Sequence, residues 1–122
     1  MSVHETAWPK ELRVSPDRRT LTVRFTDDRC YSIEAELLRV RSPSAEVQGH
    51  SPAQRVTVGG KADVTISRVL PVGNYAVRLA FDDGHDSGIF TWNFLSELGG
   101  AKEERWAEYI AELADKGMSR TA

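Results

Sequence analysis

The sequence carries a single cysteine, Cys30, among 122 residues. That excludes an internal disulfide and any multi-thiolate zinc or iron–sulfur cage built by this chain alone, and it fits a reducing compartment. Long apolar runs are also missing: no segment approaches the length needed to span a bilayer, and "MSVHETAWPKEL" lacks the basic flank and apolar stretch of a signal peptide. A cytoplasmic protein is expected. An excess of either charge is lacking too, because Lys+Arg 16 against Asp+Glu 18 leaves a formal net charge of -2. Without a positive field to gather a polyanion, neither nucleic acid nor an anionic membrane is expected as a partner. Arg13, Arg18, Arg19, Arg24 and Arg29 cluster in sequence, but acids and strand-like residues interleave them, which reads as a solvated sheet face.

What is present suits one folded domain. A hydrophobic share of 40% and a charged share of 28% lie in the ordinary globular range, and the length supports one modest core. From Lys10 to Ile33 apolar and polar residues alternate, so that Leu12 and Val14, then Leu21, Val23 and Phe25, then Tyr31 and Ile33 share faces. Period two predicts half-buried strands, and "SPDR" and "TDDR" supply the turns of an antiparallel meander.

"EAELLRVR" (34–41) holds good helix formers but runs into Pro43, so one or two helical turns are predicted there. "SPSAEVQGHSPAQ" has neither period and reads as a loop. "VTISRVL" and "NYAVRLAF" flank "PVGN" as a hairpin, with Tyr75, Val77, Leu79 and Phe81 assigned to one face. In "IFTWNFLSELGG", Thr91 can cap a helix and Gly99 can end it in a left-handed conformation, leaving Trp92, Leu95 and Leu98 on one side. The last helix, "KEERWAEYIAELADKG", is acidic in its first turn, stops at Gly117, and carries Trp106, Tyr109, Ile110 and Leu113 as a stripe. That stripe covers either the domain's own sheet or a second copy or other protein. The expected class is α+β: a single small domain of antiparallel strands, short helices and a C-terminal helix.

Chemistry concentrates in "DDGHDSG" (82–88), where three carboxylates and a histidine lie between glycines. The spacing fits an Asp-Gly hairpin turn, with Asp83 and Gly84 at positive φ; metal binding and acid/base work are the rival readings. His85 and Asp86 are adjacent, which on a strand would send them to opposite faces. Nothing else points to a reaction. Cys30 has no neighbouring base and reads as a small buried apolar group, Lys61 in "VGGKAD" reads as a turn lysine, and no Gly-x-Ser-x-Gly elbow occurs. Trp92 and Trp106 read as core.

Three blocks in order, "LLRVRSPSAEVQGH", "VGNYAVRLAFDDGHDSGIFTWNFLSELG" and "WAEYIAELADKGMSR", resemble the small bacterial proteins of the domain-of-unknown-function 971 family. That family is similar to the N-terminal domain of gamma-butyrobetaine hydroxylase. The resemblance covers the chain from about Glu11 onward. The expected organisation is a domain of this kind over residues 10–99, a C-terminal helix over 100–117 packed on it, and flexible ends at 1–9 and 118–122.

In the hydroxylases the family resembles, this domain holds a structural zinc with three cysteines following a Leu-Arg pair and a histidine after Asp-Gly. Leu38-Arg39 matches the pair and Asp83-Gly84-His85 matches the Asp-Gly-His, but "VRSPSAEV" contains no cysteine. The resemblance therefore implies a degenerate zinc site, with no cofactor expected. His85 is predicted to bond the "SPSAE" loop through Ser42, Ser44 and Glu46. Were a metal bound, its ligands would be drawn from His85, Asp82, Asp86 and His50. The iron and 2-oxoglutarate chemistry belongs to a second domain, and this sequence has no His-x-Asp pair to hold iron. Related domains also resemble an attachment on iron–sulfur carrier ATPases, which adds a possible role near cluster assembly. The resulting expectation is a non-enzymatic accessory or protein-interaction module, monomeric or weakly dimeric, whose protein partner the sequence does not name. Metal binding and a hidden enzyme centred on Asp82 to Asp86 are the rivals.

Overall fold

The computed structural model describes residues 8–49 and 52–121. Strands β1 (Pro9–Val14), β2 (Thr20–Phe25) and β3 (Cys30–Glu34) form the expected antiparallel meander, in the order β1-β2-β3. Leu12 pairs with Val23 and Leu21 with Ile33, so the alternation read from the sequence sets one face inward. The two turns place Arg18 and Asp28 at φ of 63° and 70°, the left-handed position that completes a short antiparallel connection.

Helix α1 (Ala35–Val40) follows β3 directly. The segment read as a plain loop contains two short helical pieces, α2 (Ala45–Gln48) and a 3-10 turn over Pro52–Gln54. They have no amphipathic period to betray them, being shorter than two turns. A second antiparallel sheet follows, β4 (Ile66–Val72), β5 (Ala76–Phe81) and β6 (Ile89–Thr91), in the order β4-β5-β6. Helices α3 (Trp92–Gly100) and α4 (Lys102–Asp115) close the chain. The fold is α+β, with two three-stranded sheets and their helices sharing one core.

That core draws Leu21, Val23, Phe25 and Ile33 from the first sheet, Leu79, Phe81 and Phe90 from the second, and Leu37, Leu38, Leu95, Tyr109 and Leu113 from the helices. The sheets are also tied by backbone. The amide of Ile66 donates to the carbonyl of Arg18 at 2.8 Å, and the Arg18 guanidinium donates to the carbonyls of Ile66 and Ser67. Arg18 is thus a structural clip, whereas Arg13, Arg19, Arg24 and Arg29 pair with surface acids.

Several local expectations are corrected. Gly99 is not at positive φ; it lies inside α3, where an added Cβ would come within 2.5 Å of the Tyr31 ring. It is small because a ring lies against the helix. Tyr75 falls in the turn before β5 and is exposed, leaving Val77, Leu79 and Phe81 as the inward set. Cys30 is exposed rather than buried, since it opens an edge strand.

Within the stretch 118–122, residues 119 and 120 make specific bonds to the rest of the domain. The carbonyls of Ser119 and Arg120 accept from the amides of Gly60 and Ala62, and the Arg120 guanidinium forks onto Glu36 at 2.7 and 2.8 Å while lying over the Trp106 ring. Glu36 is nearly covered, at 7% side-chain exposure, and the Arg120 fork is its ion-pair partner. Thr91 does cap α3, accepting from the amide of Phe94 at 3.0 Å, and Gly117 ends α4 at φ 64°.

Candidate functional site

The "DDGHDSG" stretch leaves β5 through a tight turn. The Gly84 amide donates to the Phe81 carbonyl at 3.0 Å, and the Phe81 amide donates to the His85 carbonyl at 2.9 Å. Gly84 alone takes positive φ, at 91°; Asp83, expected there too, does not. The same bonds recur between β2 and β3, where Phe25 stands for Phe81, Asp28 for Gly84 and Arg29 for His85. This geometry makes the stretch a turn, and it delivers His85 to the interior.

The His85 side chain is 6% exposed and faces the loop between α1 and α2. Its Nε2 lies 3.0 Å from the Ser42 hydroxyl and 3.4 Å from the Ser44 hydroxyl. Its Nδ1 lies 3.5 Å from Glu46, an electrostatic contact longer than a formed hydrogen bond. The Ser44 amide donates to the Ser42 hydroxyl, which is thereby polarised to donate onward to Nε2. That relay suits the neutral ring with its proton on Nδ1, facing Glu46. Burial, and then the charge of Arg39, hold the imidazole below its ordinary pKa, although Glu46, Asp83 and Asp86 pull the other way. Glu46 also accepts from the Ser87 hydroxyl, which closes the loop over the turn.

Asp83 anchors the other side. One carboxylate oxygen accepts from Arg39 at 2.7 Å and from Lys61 at 2.6 Å, while the second accepts from the His85 amide at 3.0 Å. These donors outweigh the desolvation that opposes them and lower the carboxyl to about 2. Lys61 is therefore a member of this cluster, a role its turn-like sequence surroundings gave no sign of. Arg39 was visible only as half of the Leu-Arg pair.

The remaining site residues do not converge. Asp82 turns away to the residue just before β4, its carboxylate accepting from the Thr65 amide. Asp86 is exposed, and His50 lies outside the described residues. Among the described residues no group of three or more His, Cys, Asp or Glu side chains is placed to hold a metal. Around His85 the nearest donors are two neutral hydroxyls and one carboxylate, whereas a structural zinc is closed by thiolates and imidazoles. Among the described residues, those around His85 do not fit the structural zinc of the hydroxylases that the family resembles.

Ser42, His85 and Glu46 also follow one another in the manner of nucleophile, base and orienting acid. The surroundings close off that chemistry. Ser42 is fully buried, and a Cβ added at Gly88 would come within 2.3 Å of its Oγ, so the Gly88 backbone occupies the approach an electrophile would need.

The stripe on α4 divides. Tyr109 and Leu113 are buried in the domain's own core, the Tyr109 hydroxyl donating to the Val58 carbonyl. They are unavailable as a docking surface. Trp106 is half-buried under Arg120, and Ile110 alone of the four is exposed. Two clefts flank α4. One of 360 Å³ is lined by Arg41, Arg55 and Arg105 with Phe94 and Leu98, and one of 420 Å³ by Leu37 and Trp106 with Glu34 and Glu103; neither reaches His85. In the first, Arg41 is bound to Glu112 by both terminal nitrogens and lies against Tyr109. No helix among the described residues is long and apolar enough to cross a membrane.

Comparison with known proteins places the chain in a family and beside solved structures. The family described as gamma-butyrobetaine hydroxylase-like, N-terminal, matches residues 12–96. Two proteins with solution NMR structures are similar throughout. One is 48% identical with a TM-score of 0.82, covering 95% of this chain and 91% of its own. The other is 39% identical, also at 0.82, covering 98% and 89%. A crystal structure of a domain-of-unknown-function 971 family protein from Acidithiobacillus ferrooxidans is 35% identical, with a TM-score of 0.60 over 75% of this chain and 91% of that one. No curated protein matches. With most of its length matched by the family and by these structures, the chain belongs to the gamma-butyrobetaine hydroxylase-like N-terminal domain family.

Proposed function

We propose that this chain is a non-catalytic accessory module that docks onto another protein, and that its histidine site is a metal-free polar clasp. The observation that supports this most is the sealed contact between His85 and Ser42. The ring is satisfied by hydroxyls of the α1–α2 loop, at the place where the resemblance would put thiolates. A hydroxyl relay needs no metal and leaves no open coordination position or substrate approach. The clasp then serves to hold the α1–α2 loop against the β5–β6 turn, so that the module presents a fixed outer surface.

The test is elemental analysis of tag-free protein purified without chelator, together with its His85→Ala variant. We expect well under 0.1 equivalent of zinc or iron per chain, and a lower melting temperature for the variant in chelated buffer. Near-stoichiometric metal that disappears in the variant would overturn the reading and favour a metal-binding domain. An unchanged melting temperature would show that the clasp does not hold the fold.

A further inference from the structure

Every arginine among the described residues has a hydrogen-bond or ion-pair partner except two, Arg68 and Arg78. Both are exposed, and they sit on adjacent strands of the second sheet. Arg68 is paired with Ala80, and Arg78 with Leu70, so the two arginines are diagonal neighbours on one face. The alternation of the strands adds Leu70 and Val72 from β4, Ala76 and Ala80 from β5, and Ile89 from β6, which stands beside Arg78. No acid lies on this face.

Two like charges at neighbouring positions on a sheet repel, and a chain that pairs all its other described arginines had acids available to relieve them. Beside the guanidiniums the exposed apolar area comes from Ile89, 42% exposed, and from the partly exposed Leu70 and Val72, while Ala76 and Ala80 lie buried beneath. A face of this kind fits a segment that offers carboxylates to the arginines and an aliphatic side chain to Leu70 and Ile89. β6 is a three-residue edge strand, so its unpaired backbone is free to add hydrogen bonds to such a segment.

We propose that the outer face of β4-β5-β6 docks an acidic, aliphatic-bearing segment of a partner protein, held by Arg68 and Arg78. Nucleic acid is the less suitable occupant, because only two cations are offered by a chain of formal net charge -2 and no exposed aromatic ring lies on this face to stack a base. The proposal rests on the module reading above and specifies its surface.

The experiment is a titration of isotope-labelled protein, followed by amide NMR shifts in 50 mM salt. The probes are a decapeptide of alternating Glu and Leu, the same peptide with Lys for Glu, and a ten-nucleotide oligothymidylate. The Glu peptide should give saturable shifts at residues 68–70, 77–79 and 89, with a dissociation constant below about 1 mM. Binding should weaken on raising salt and fall at least tenfold in the Arg68→Glu, Arg78→Glu double variant. The Lys peptide should leave those amides unmoved.

Separately, Arg78→Gln should melt at or above the parent temperature, because it removes repulsion. A clear fall would show that the charge serves the fold and would overturn the proposal. So would undiminished binding by the double variant, absence of saturable shifts, or tighter binding of the oligonucleotide at the same amides. Saturable shifts confined to another surface would overturn this site while leaving the module reading in place; stoichiometric metal at His85 would overturn that reading whatever the peptide does.

Discussion

Replacing Asp83 by Asn tests how the turn is held. The substitution keeps the shape and an oxygen able to accept from the His85 amide, but removes the charge that Arg39 and Lys61 share. Lowering the carboxyl from its ordinary value of 3.8 to about 2 corresponds to roughly 2.5 kcal/mol of preference for the charged form. Arg39, Lys61 and Asp83 keep 12%, 22% and 17% of their side chains exposed, so solvent screening reduces this. We expect a loss of about 1–2 kcal/mol at pH 7.

The pH dependence carries the stronger test. Because the folded-state pKa is depressed, the stabilisation is full well above the unfolded value and is lost as pH falls toward about 2. The difference between parent and variant should be roughly halved by pH 3. Urea unfolding at pH 7 should show a midpoint lowered by on the order of 1 M, with the slope unchanged. A gap under about 0.3 kcal/mol at pH 7, or one that stays constant from pH 7 to pH 3, would refute the argument that charge pairing secures the turn.

Other expectations follow from single contacts. Neutral His85 should make the parent lose stability as pH drops below about 6.5, because the unfolded chain takes up the proton more readily; His85→Gln should flatten that slope in thermal melts between pH 7 and pH 5. Arg120→Ala strands the nearly covered Glu36 charge and should cost about 2 kcal/mol in chemical unfolding, with Arg120→Lys recovering only part because it loses the fork. Gly99→Ala should cost about 1–3 kcal/mol by driving a methyl into the Tyr31 ring, whereas Gly99 at a left-handed helix end would have cost less. Thr91→Ala should cost about 1 kcal/mol through loss of the α3 cap.

The strands and the longer helices were legible because one-dimensional periods carry them. Leu21, Val23 and Phe25 alternate whatever they pack against, and Thr91 marks a helix start by its own hydroxyl. The short α2 turn was not legible, since four residues cannot display a period. Gly99 was misread because a glycine near a helix end has two uses, and only the position of Tyr31 separates them. The α4 stripe announced an apolar face without naming what it covers; packing assigned Tyr109 and Leu113 to the core and left Ile110 outside. The candidate site was legible in part. Its histidine, serines and glutamate were named through the family pattern, but Lys61 arrives from a distant loop, and Asp82 leaves for Thr65.

By itself, then, the sequence determined the class of fold, the turn chemistry of "DDGHDSG" and the lack of thiolates around His85. These depend on local conformational preference and on which ligand types are present at all. Tertiary structure decided that Ser42 and His85 meet in a sealed space, that the C-terminal residues lock onto Glu36, and that Arg68 and Arg78 share a face without an acid. Each of those depends on strand register and on the approach of residues far apart in the chain. Distances through space, unlike periods along it, are set only when the core closes.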